Sequence, residues 1–451
     1  MKGYFPTERH MNAVLGCALG FLVFTGTTQV AAELSIENAQ QLAVSKDAGI
    51  NQILYRSNAM KEDAGASAQL PDPTLVLGAQ NFPTDTFKFD QEPMTQLKVG
   101  LRQMFPQGNT LSLQEMKMNI MASSMKSMAQ TRYLNVTRMV RKNWLEVLYW
   151  QHAQDIIEED KALFNQLIDV TRSLYSIGKV QQQDVLRAEL ESSRLDEKLI
   201  KAIRQGETER AGLARWIGRT AMTESWPSIL PILLMPKDIV SSKNPDEALI
   251  IALIAEHPEL VSLQQDVAAA ERDIKLAKQK YQPLWGVELN YGYRGGKNMD
   301  GSDRSDFVSA MVNVSLPLFT TQRQDRSVKS ATLRKEALKS SYQDKVYEMV
   351  GMIQTLSRRL MQTEEQLQLF EQSILSKARL QAEASLNAYQ ADAADFAEVM
   401  RAFLREQKDR LDYERLRVTR LQLLSELQYY VSFQTPKLGL TDPTKITGVS
   451  Q

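Results

Sequence analysis

The side chains that most often carry catalysis or hold metals are scarce in this sequence. It has three histidines and one cysteine among 451 residues. His152 and His257 lie in helical contexts, and neither has a second histidine or a cysteine at ligand spacing. We therefore interpret both as structural or surface residues. The sequence predicts no enzymatic activity, no cofactor, and no catalytic or metal site.

A cluster of methionines is the other group with a distinctive chemistry. Met116, Met118, Met121, Met125 and Met128 lie close together, and the last four share one helix face. Thioether sulfur suits Cu(I) and Ag(I). Methionine also fills irregular gaps in helical packing, and of the two interpretations packing is favoured.

Composition and the N-terminus narrow the class of protein. The chain has 54 basic residues (Lys and Arg) and 54 acidic residues (Asp and Glu). This balance argues against a nucleic-acid-binding protein, because such proteins usually have a basic excess. Residues 1–32 contain a charged start, an apolar stretch and small residues, which is typical of a secretory signal peptide. The alternative is acylation of Cys17, but too little apolar sequence precedes it. No later apolar run reaches the ~18 residues of a membrane-spanning helix, so any membrane insertion must use β-strands.

Long helices dominate the rest of the chain. Residues 107–226 and 318–435 contain no proline and are rich in good helix formers. We predict helices over 110–174, 181–218, 322–388 and 395–433, in antiparallel pairs with coiled-coil-like packing. At ~1.5 Å per residue, the first would be roughly 98 Å long if unbroken.

The chain contains an internal repeat. Tyr175-Ser-Ile-Gly178 with Asp184 corresponds to Tyr389-Gln-Ala-Asp392 with Glu398, and Pro73 and Pro106 correspond to Pro283 and Pro317. All of these offsets are about 210 residues. The sequence therefore predicts a first repeat over 33–240 and a second over 241–451.

Each repeat also contains two candidate strands, near 74–82 and 95–105, then near 284–294 and 307–319. In the clearest one, Trp285, Val287 and Leu289 alternate with polar residues, among them Glu288 and Asn290. We expect the face that carries Glu288 and Asn290 to meet water, and we expect an arginine to be tolerated at Asn290. Soluble hairpins would also alternate in this way. The signal peptide, the aromatic residues near strand ends and the charged inner face favour membrane strands.

Four strands cannot close a barrel, and unpaired edges are not tolerated in lipid. The chain must therefore combine its strands with those of other copies. Two, three or four copies all remain open on this argument.

The arrangement resembles the TolC-type outer membrane factor family, the exit ducts of tripartite efflux pumps and type I secretion systems. The duplicated turn motifs and strand–loop–strand units carry this resemblance. The segments 71–75, 81–83 and 100–106 are similar to the branch that serves heavy-metal cation pumps. One departure lies at 47–52, Asp-Ala-Gly-Ile-Asn-Gln, where the family often has Asn-Pro-x-Leu. The second repeat keeps that pattern as His257-Pro-Glu-Leu260.

The resemblance implies an α/β membrane protein in the outer membrane of a Gram-negative bacterium. Each chain would contribute four transmembrane strands to a trimeric twelve-stranded barrel, above a long periplasmic helical tunnel. The partners implied are two further copies of the chain, a periplasmic adaptor (membrane fusion) protein, an RND-type inner-membrane pump and outer membrane lipid. A belt around the middle would use 219–245 and the C-terminal tail.

The resemblance also assigns roles to residues at the helix turns. Family members carry an acidic residue at the tunnel entrance that matches Glu398, and a second acid that corresponds to Arg401 in this chain. With Asp184 and Asp395, these are the entrance gate candidates; an ordinary solvated charged face is the alternative interpretation, at about equal weight. The turns themselves would dock the adaptor, through Tyr175, Gly178, Tyr389 and Asp392.

The function implied is a passive exit duct, with heavy-metal cations as the favoured cargo. Drug efflux and type I protein secretion are the alternatives for the cargo. A helical periplasmic scaffold or adhesin is a more distant alternative, since it would not need two strand pairs with polar inner faces.

Overall fold

The computed structural model describes residues 33–234, 246–391 and 393–431. The predicted signal peptide with Cys17, Asp392, and the belt residues 235–245 lie outside the described residues, as does the C-terminal tail from 432 onward.

Helices make up most of the described chain, and the two halves present them in the same order. The helices are α1 (Ile36–Lys46), α2 (Ala48–Ser67), α3 (Thr110–Ser176), α4 (Gln182–Ile217), α5 (Thr220–Thr223), α6 (Glu247–Ile254), α7 (Pro258–Gln279), α8 (Gln324–Leu369), α9 (Leu375–Gln390) and α10 (Phe396–Val431). The helix α3 has 67 residues, and α4 and α10 have 36 each. No described helix is both long and apolar enough to span a membrane.

The predicted helix over 322–388 is interrupted. A π-helical turn, Phe370–Ile374, separates α8 from α9. A π turn accommodates one extra residue within a helix. Tyr413 on α10 contacts this π turn. The Tyr413 hydroxyl donates to Glu371 Oε1 at 2.7 Å, and the Tyr413 and Phe370 ring centroids are 6.4 Å apart. Burial, together with this hydrogen bond, raises the pKa of Tyr413 to about 12. Residue spacing alone gave no sign of this interruption.

The helices of both halves begin with equivalent caps, despite the sequence departure at 47–52. The Asp47 carboxylate accepts from the Ile50 amide at 2.7 Å at the start of α2. The His257 ring accepts from the Glu259 amide at 3.3 Å at the start of α7, with Pro258 in the first turn. Both side chains satisfy an amide that would otherwise lack a partner at a helix start.

Four antiparallel strands form one sheet at the end of the helices. They are β1 (Thr74–Gln80), β2 (Gln96–Phe105), β3 (Leu284–Tyr293) and β4 (Phe307–Ser315), paired in the order β1-β2-β3-β4. The β2–β3 pairing, in which Leu101 faces Leu289, joins the two halves of the chain. Among the described residues, β1 and β4 pair on one side only and form the two edges of the sheet.

Two strands are shorter than the sequence predicts. The first was expected to reach 82 but ends at Gln80, because Asn81 has a positive φ of 57° that breaks the extended backbone. The last was expected to reach 319 but ends at Ser315. Pro317 follows two residues later and has no N–H to donate to a strand ladder.

One face of the sheet is apolar and exposed in the single chain. It carries Leu75, Leu77, Leu97, Val99, Leu101, Trp285, Val287, Leu289, Tyr291, Tyr293, Val308, Val312 and Val314, all exposed. Strand register aligns these residues across all four strands. A continuous apolar surface of this kind marks contact with lipid or another protein.

The other face of the sheet is polar and more tightly packed than the sequence suggests. Glu288 accepts from Lys98 at 3.1 Å, from Arg102 at 2.7 Å and from Asn290 at 2.9 Å. Asn290 is only 3% exposed, and a Cβ at Gly100 would collide with its side chain. The expectation that Asn290 tolerates an arginine is therefore wrong, because no free volume surrounds it.

The main hydrophobic core lies midway along the helices and includes parts of both halves. Trp144 on α3 is buried at its centre, and its indole N–H donates to the Leu34 carbonyl oxygen at 2.9 Å. Residues of α4, α6, α8 and α10 surround it. This core fixes the two helix pairs against each other, so that both turns lie at the same end.

Candidate functional site

The two helix turns lie together at the end of the bundle opposite to the sheet. A second core packs the last turns of α3 and α9 against the first turns of α4 and α10. Its largest side chains include Phe164 on α3, and Phe396 and Phe403 on α10, with the rings of Phe164 and Phe403 6.4 Å apart. The turn residues of both repeats therefore belong to one surface.

The first turn ends α3 with a glycine in the left-handed conformation. Gly178 has φ of 75°. Its amide donates to the Tyr175 carbonyl oxygen and the Lys179 amide donates to that of Leu174, both at 3.0 Å. Such bonds close the end of a helix when the residue after it adopts a positive φ. Tyr175 is exposed beside this turn, at 47%.

The second turn is built differently around its tyrosine. The Ala393 amide donates to the Ala388 carbonyl oxygen at 2.8 Å and closes the turn. Tyr389 is 8% exposed and packs against Phe396, with ring centroids 5.5 Å apart. Burial raises the pKa of the Tyr389 hydroxyl. Only Tyr175 of the two tyrosines thus presents an open ring to a partner.

The charged candidates lie at the starts of the two returning helices, α4 and α10. Asp184 on α4 is half-buried and lies 3.8 Å from Arg187, measured between Oδ1 and Nη1. Asp395, Glu398 and Arg401 are all exposed, and the Glu398 amide donates to the Asp395 carbonyl oxygen at 2.9 Å. Within the described part of the chain, no ion pair joins Glu398 to Arg401. Their charges are open to water or to another chain.

A polar layer above the tip joins the two helix pairs, and sequence reasoning did not find it. Arg410 on α10 pairs with Asp160 on α3 at 3.1 Å and also with Glu159. Lys198 on α4 donates to the buried Gln407 at 2.9 Å. Burial raises the pKa of Asp160. The acidic run at 158–160 was the available signal, but a charge run on a helix is usually a solvated face.

The two histidines have structural contacts. The ring nitrogens of His152 lie 3.0 Å from the Ser228 carbonyl oxygen and 3.4 Å from Glu414 Oε2. His257 caps α7, and its other ring nitrogen lies 3.2 Å from the Tyr429 carbonyl oxygen. Across the described ranges, no group of three or more His, Cys, Asp or Glu side chains is arranged to hold a metal ion.

Comparison with known proteins points to one family. Residues 249–428 match the family model described as outer membrane efflux protein. The second half of the chain is therefore similar to this family. This similarity supports an outer membrane location and a transport role rather than enzymatic activity. No significant match to a curated protein was found.

Solved structures share the fold over almost the whole chain. The outer membrane protein VceC of Vibrio cholerae is 15% identical, with TM-score 0.72, covering 88% of this chain and 95% of that one. The open-state channel MtrE of Neisseria gonorrhoeae is 13% identical, with TM-score 0.71 and 88% of each chain covered. CusC is 11% identical, with TM-score 0.73, covering 89% of this chain and 92% of that one.

Proposed function

We propose that three copies of this chain form the exit duct of a tripartite efflux system. Each copy contributes its four strands to a twelve-stranded barrel in the outer membrane, and the helices form a tunnel through the periplasm. The two repeats, 33–240 and 241–451, act as similar units around the tunnel. Substrate passes through passively, from an RND-type inner-membrane pump and its periplasmic adaptor to the exterior.

The observation that carries this proposal is the four-stranded sheet. Its apolar face is exposed, its polar face bears Lys98, Arg102 and Glu288, and its two edges are open. Open strand edges are not tolerated in lipid. Pairing of β1 with β4 of a neighbouring copy satisfies both edges and closes a ring. Apolar outside and polar inside is the pattern of a water-filled membrane barrel.

We infer that the helix turns meet the adaptor and form the entrance. The exposed Tyr175 and the left-handed Gly178 shape one turn, and Tyr389 holds the other from within. Asp184, Asp395, Glu398 and Arg401 lie at the same end, which places charges of both signs near the tunnel mouth. Three copies would bring these charges around one axis.

For the cargo, we propose heavy-metal cations. The support is the similarity of the segments at 71–75, 81–83 and 100–106 to the heavy-metal branch. Growth of a deletion strain on copper, silver, zinc and cobalt salts, against a panel of drugs, separates the possibilities. Sensitivity to drugs alone would refute the metal assignment.

Conductance tests the duct itself. The full-length protein, purified in detergent and added to a planar bilayer, is expected to produce discrete steps of equal size. The same preparation dissociated by heat is the control and is expected to produce none. Native oligomer that inserts without conducting would favour a scaffold or adhesin.

A further inference from the structure

The methionine cluster of α3 is not part of the hydrophobic core. Met118, Met121 and Met125 are half-buried and Met128 is 43% exposed. None of these four is in the hydrophobic clusters of the described chain or among the side chains packed against them. These four side chains therefore lie outside the described core clusters.

Small residues perform the packing of α3 at this level. Ala122 and Ala129 are fully buried, and the Ala122 carbonyl oxygen accepts from Ser57 of α2 at 2.7 Å. On the opposite side, Ser124 Oγ lies 3.0 Å from Ser262 Oγ of α7 and Ser127 donates to Gln265 at 3.1 Å. The methionines lie between these two sides, on the broad face of the helical layer.

A fifth methionine, Met60 of α2, joins the same face. Asp47 pairs with Arg132 at 2.8 Å, and Ser57 bonds to Ala122, so α2 and α3 run antiparallel. Arg132 follows Met125 by two helical turns and shares the methionine face of α3. A Cβ at Gly49 would lie 3.1 Å from Arg132 Nε. Met60 follows Gly49 by about three turns, so it lies on the same face, level with Met118 and Met121.

We propose that Met60, Met118, Met121 and Met125 form a binding site for a soft monovalent cation, Cu(I) or Ag(I). Successive methionines on α3 are three or four residues apart, or ~4.5–6 Å along the helix axis. Flexible thioether side chains at that spacing reach a common ion, and soft sulfur ligands select such ions over hard cations. The site does not depend on the duct being the protein's function.

Two of the positive groups near the site are paired with carboxylates. Lys117, which precedes Met118, is paired with Asp273 at 2.7 Å, and Arg132 is paired with Asp47. Both positive groups are therefore neutralised by carboxylates. A bound ion would meet thioethers and water.

Titration of the full-length protein with Ag(I) tests the proposal. A variant with Met118→Leu, Met121→Leu and Met125→Leu keeps the volume of each side chain and removes the sulfur. The control changes three exposed methionines elsewhere, Met139→Leu, Met222→Leu and Met352→Leu, which are 37%, 54% and 41% exposed. The variant with leucine at 118, 121 and 125 is expected to bind Ag(I) about tenfold or more weakly than the control variant.

Peroxide footprinting gives a second measurement that does not rely on a variant. With Ag(I) bound, oxidation of Met60, Met118, Met121 and Met125 is expected to slow, while that of Met139 and Met352 is unchanged. Equal silver binding by the two triple variants, or equal oxidation with and without silver, would overturn the site. Excess Zn(II) is expected to leave the protection intact, and loss of protection under Zn(II) would contradict the soft-ligand assignment.

Discussion

The sharpest test of the membrane assignment is an arginine on the apolar face of β3. Leu289 is 56% exposed in the single chain and pairs with Leu101 on one side and Ala310 on the other. It lies near the middle of a ten-residue strand. At ~3.4 Å per residue and a tilt near 40°, the strand spans about 26 Å, which matches the apolar band of a membrane barrel.

The cost of Leu289→Arg follows from that depth. A lipid-facing arginine at the bilayer midplane costs about 2–4 kcal/mol, falling to about 0–1 kcal/mol near the interfaces. If three copies assemble, the penalty is paid three times, or about 6–12 kcal/mol per trimer. This is comparable to the whole stability of an ordinary domain. We expect little or no assembled oligomer in the outer membrane.

Ser309→Arg is the matched control. Ser309 precedes Ala310, the partner of Leu289, so it lies at nearly the same depth but on the polar face. It is exposed, unlike Asn290 on the same face. An arginine there would meet water inside the barrel, and assembly is expected to be normal.

The assay is the yield of heat-modifiable oligomer in isolated outer membranes, measured by SDS gel with and without boiling. Total chain abundance is measured in parallel. A loss of oligomer in Leu289→Arg but not in Ser309→Arg supports the lipid-facing assignment. Equal yields in the two variants would refute it, since depth is the same and only the face differs.

Three further predictions concern the tip and the middle of the helices. Gly178→Val forces a β-branched residue into a left-handed conformation at a cost of about 1–2 kcal/mol. Export is therefore expected to fall while the oligomer yield stays unchanged, and Gly178→Asn is expected to have a milder effect. Equal export by the wild type and both variants would make the turn a simple connector. Glu398→Gln removes one carboxylate per copy from the entrance and is expected to weaken block by divalent cations in single-channel recordings; unchanged block would remove Glu398 from the gate. Burial lowers the pKa of His257 below its ordinary value of 6.5, so its stabilising contribution is complete above that value and is lost as the pH falls through the folded pKa. His257→Ser retains a capping oxygen and is expected to reduce the difference in Tm between about pH 7.5 and about pH 5.5; an unchanged difference would mean that another group controls acid unfolding.

The strand faces and long helices were predictable because each depends on a simple period. Alternation at 285–293 gave the face of every residue in β3, and the absence of proline gave the helix tracts. The turns were predictable from Gly178, because few other residues adopt a positive φ. Each of these signals is local in sequence.

What sequence could not show depends on contacts between distant segments. The packing of Asn290 against Gly100 requires the register of β2 on β3. The polar layer of Arg410 with Asp160 requires the position of α10 beside α3. The half-buried position of Met121 outside the core likewise depends on small residues, rather than methionines, filling the helix contacts.

The π-helical turn at 370–374 distinguishes the second helical tract from the first. From Gln324 to Gln390, α8, the turn and α9 together contain as many residues as α3. A π turn takes up one more residue than an α turn, so with equal lengths each residue beyond the π turn is rotated by roughly 100° about the helix axis relative to its counterpart in α3. The duplicated halves are therefore out of phase below the bulge, and residues at equivalent sequence positions face different directions. In a ring of three copies, six helical hairpins would alternate between a continuous kind and a bulged kind, so the mouth would have threefold rather than sixfold symmetry.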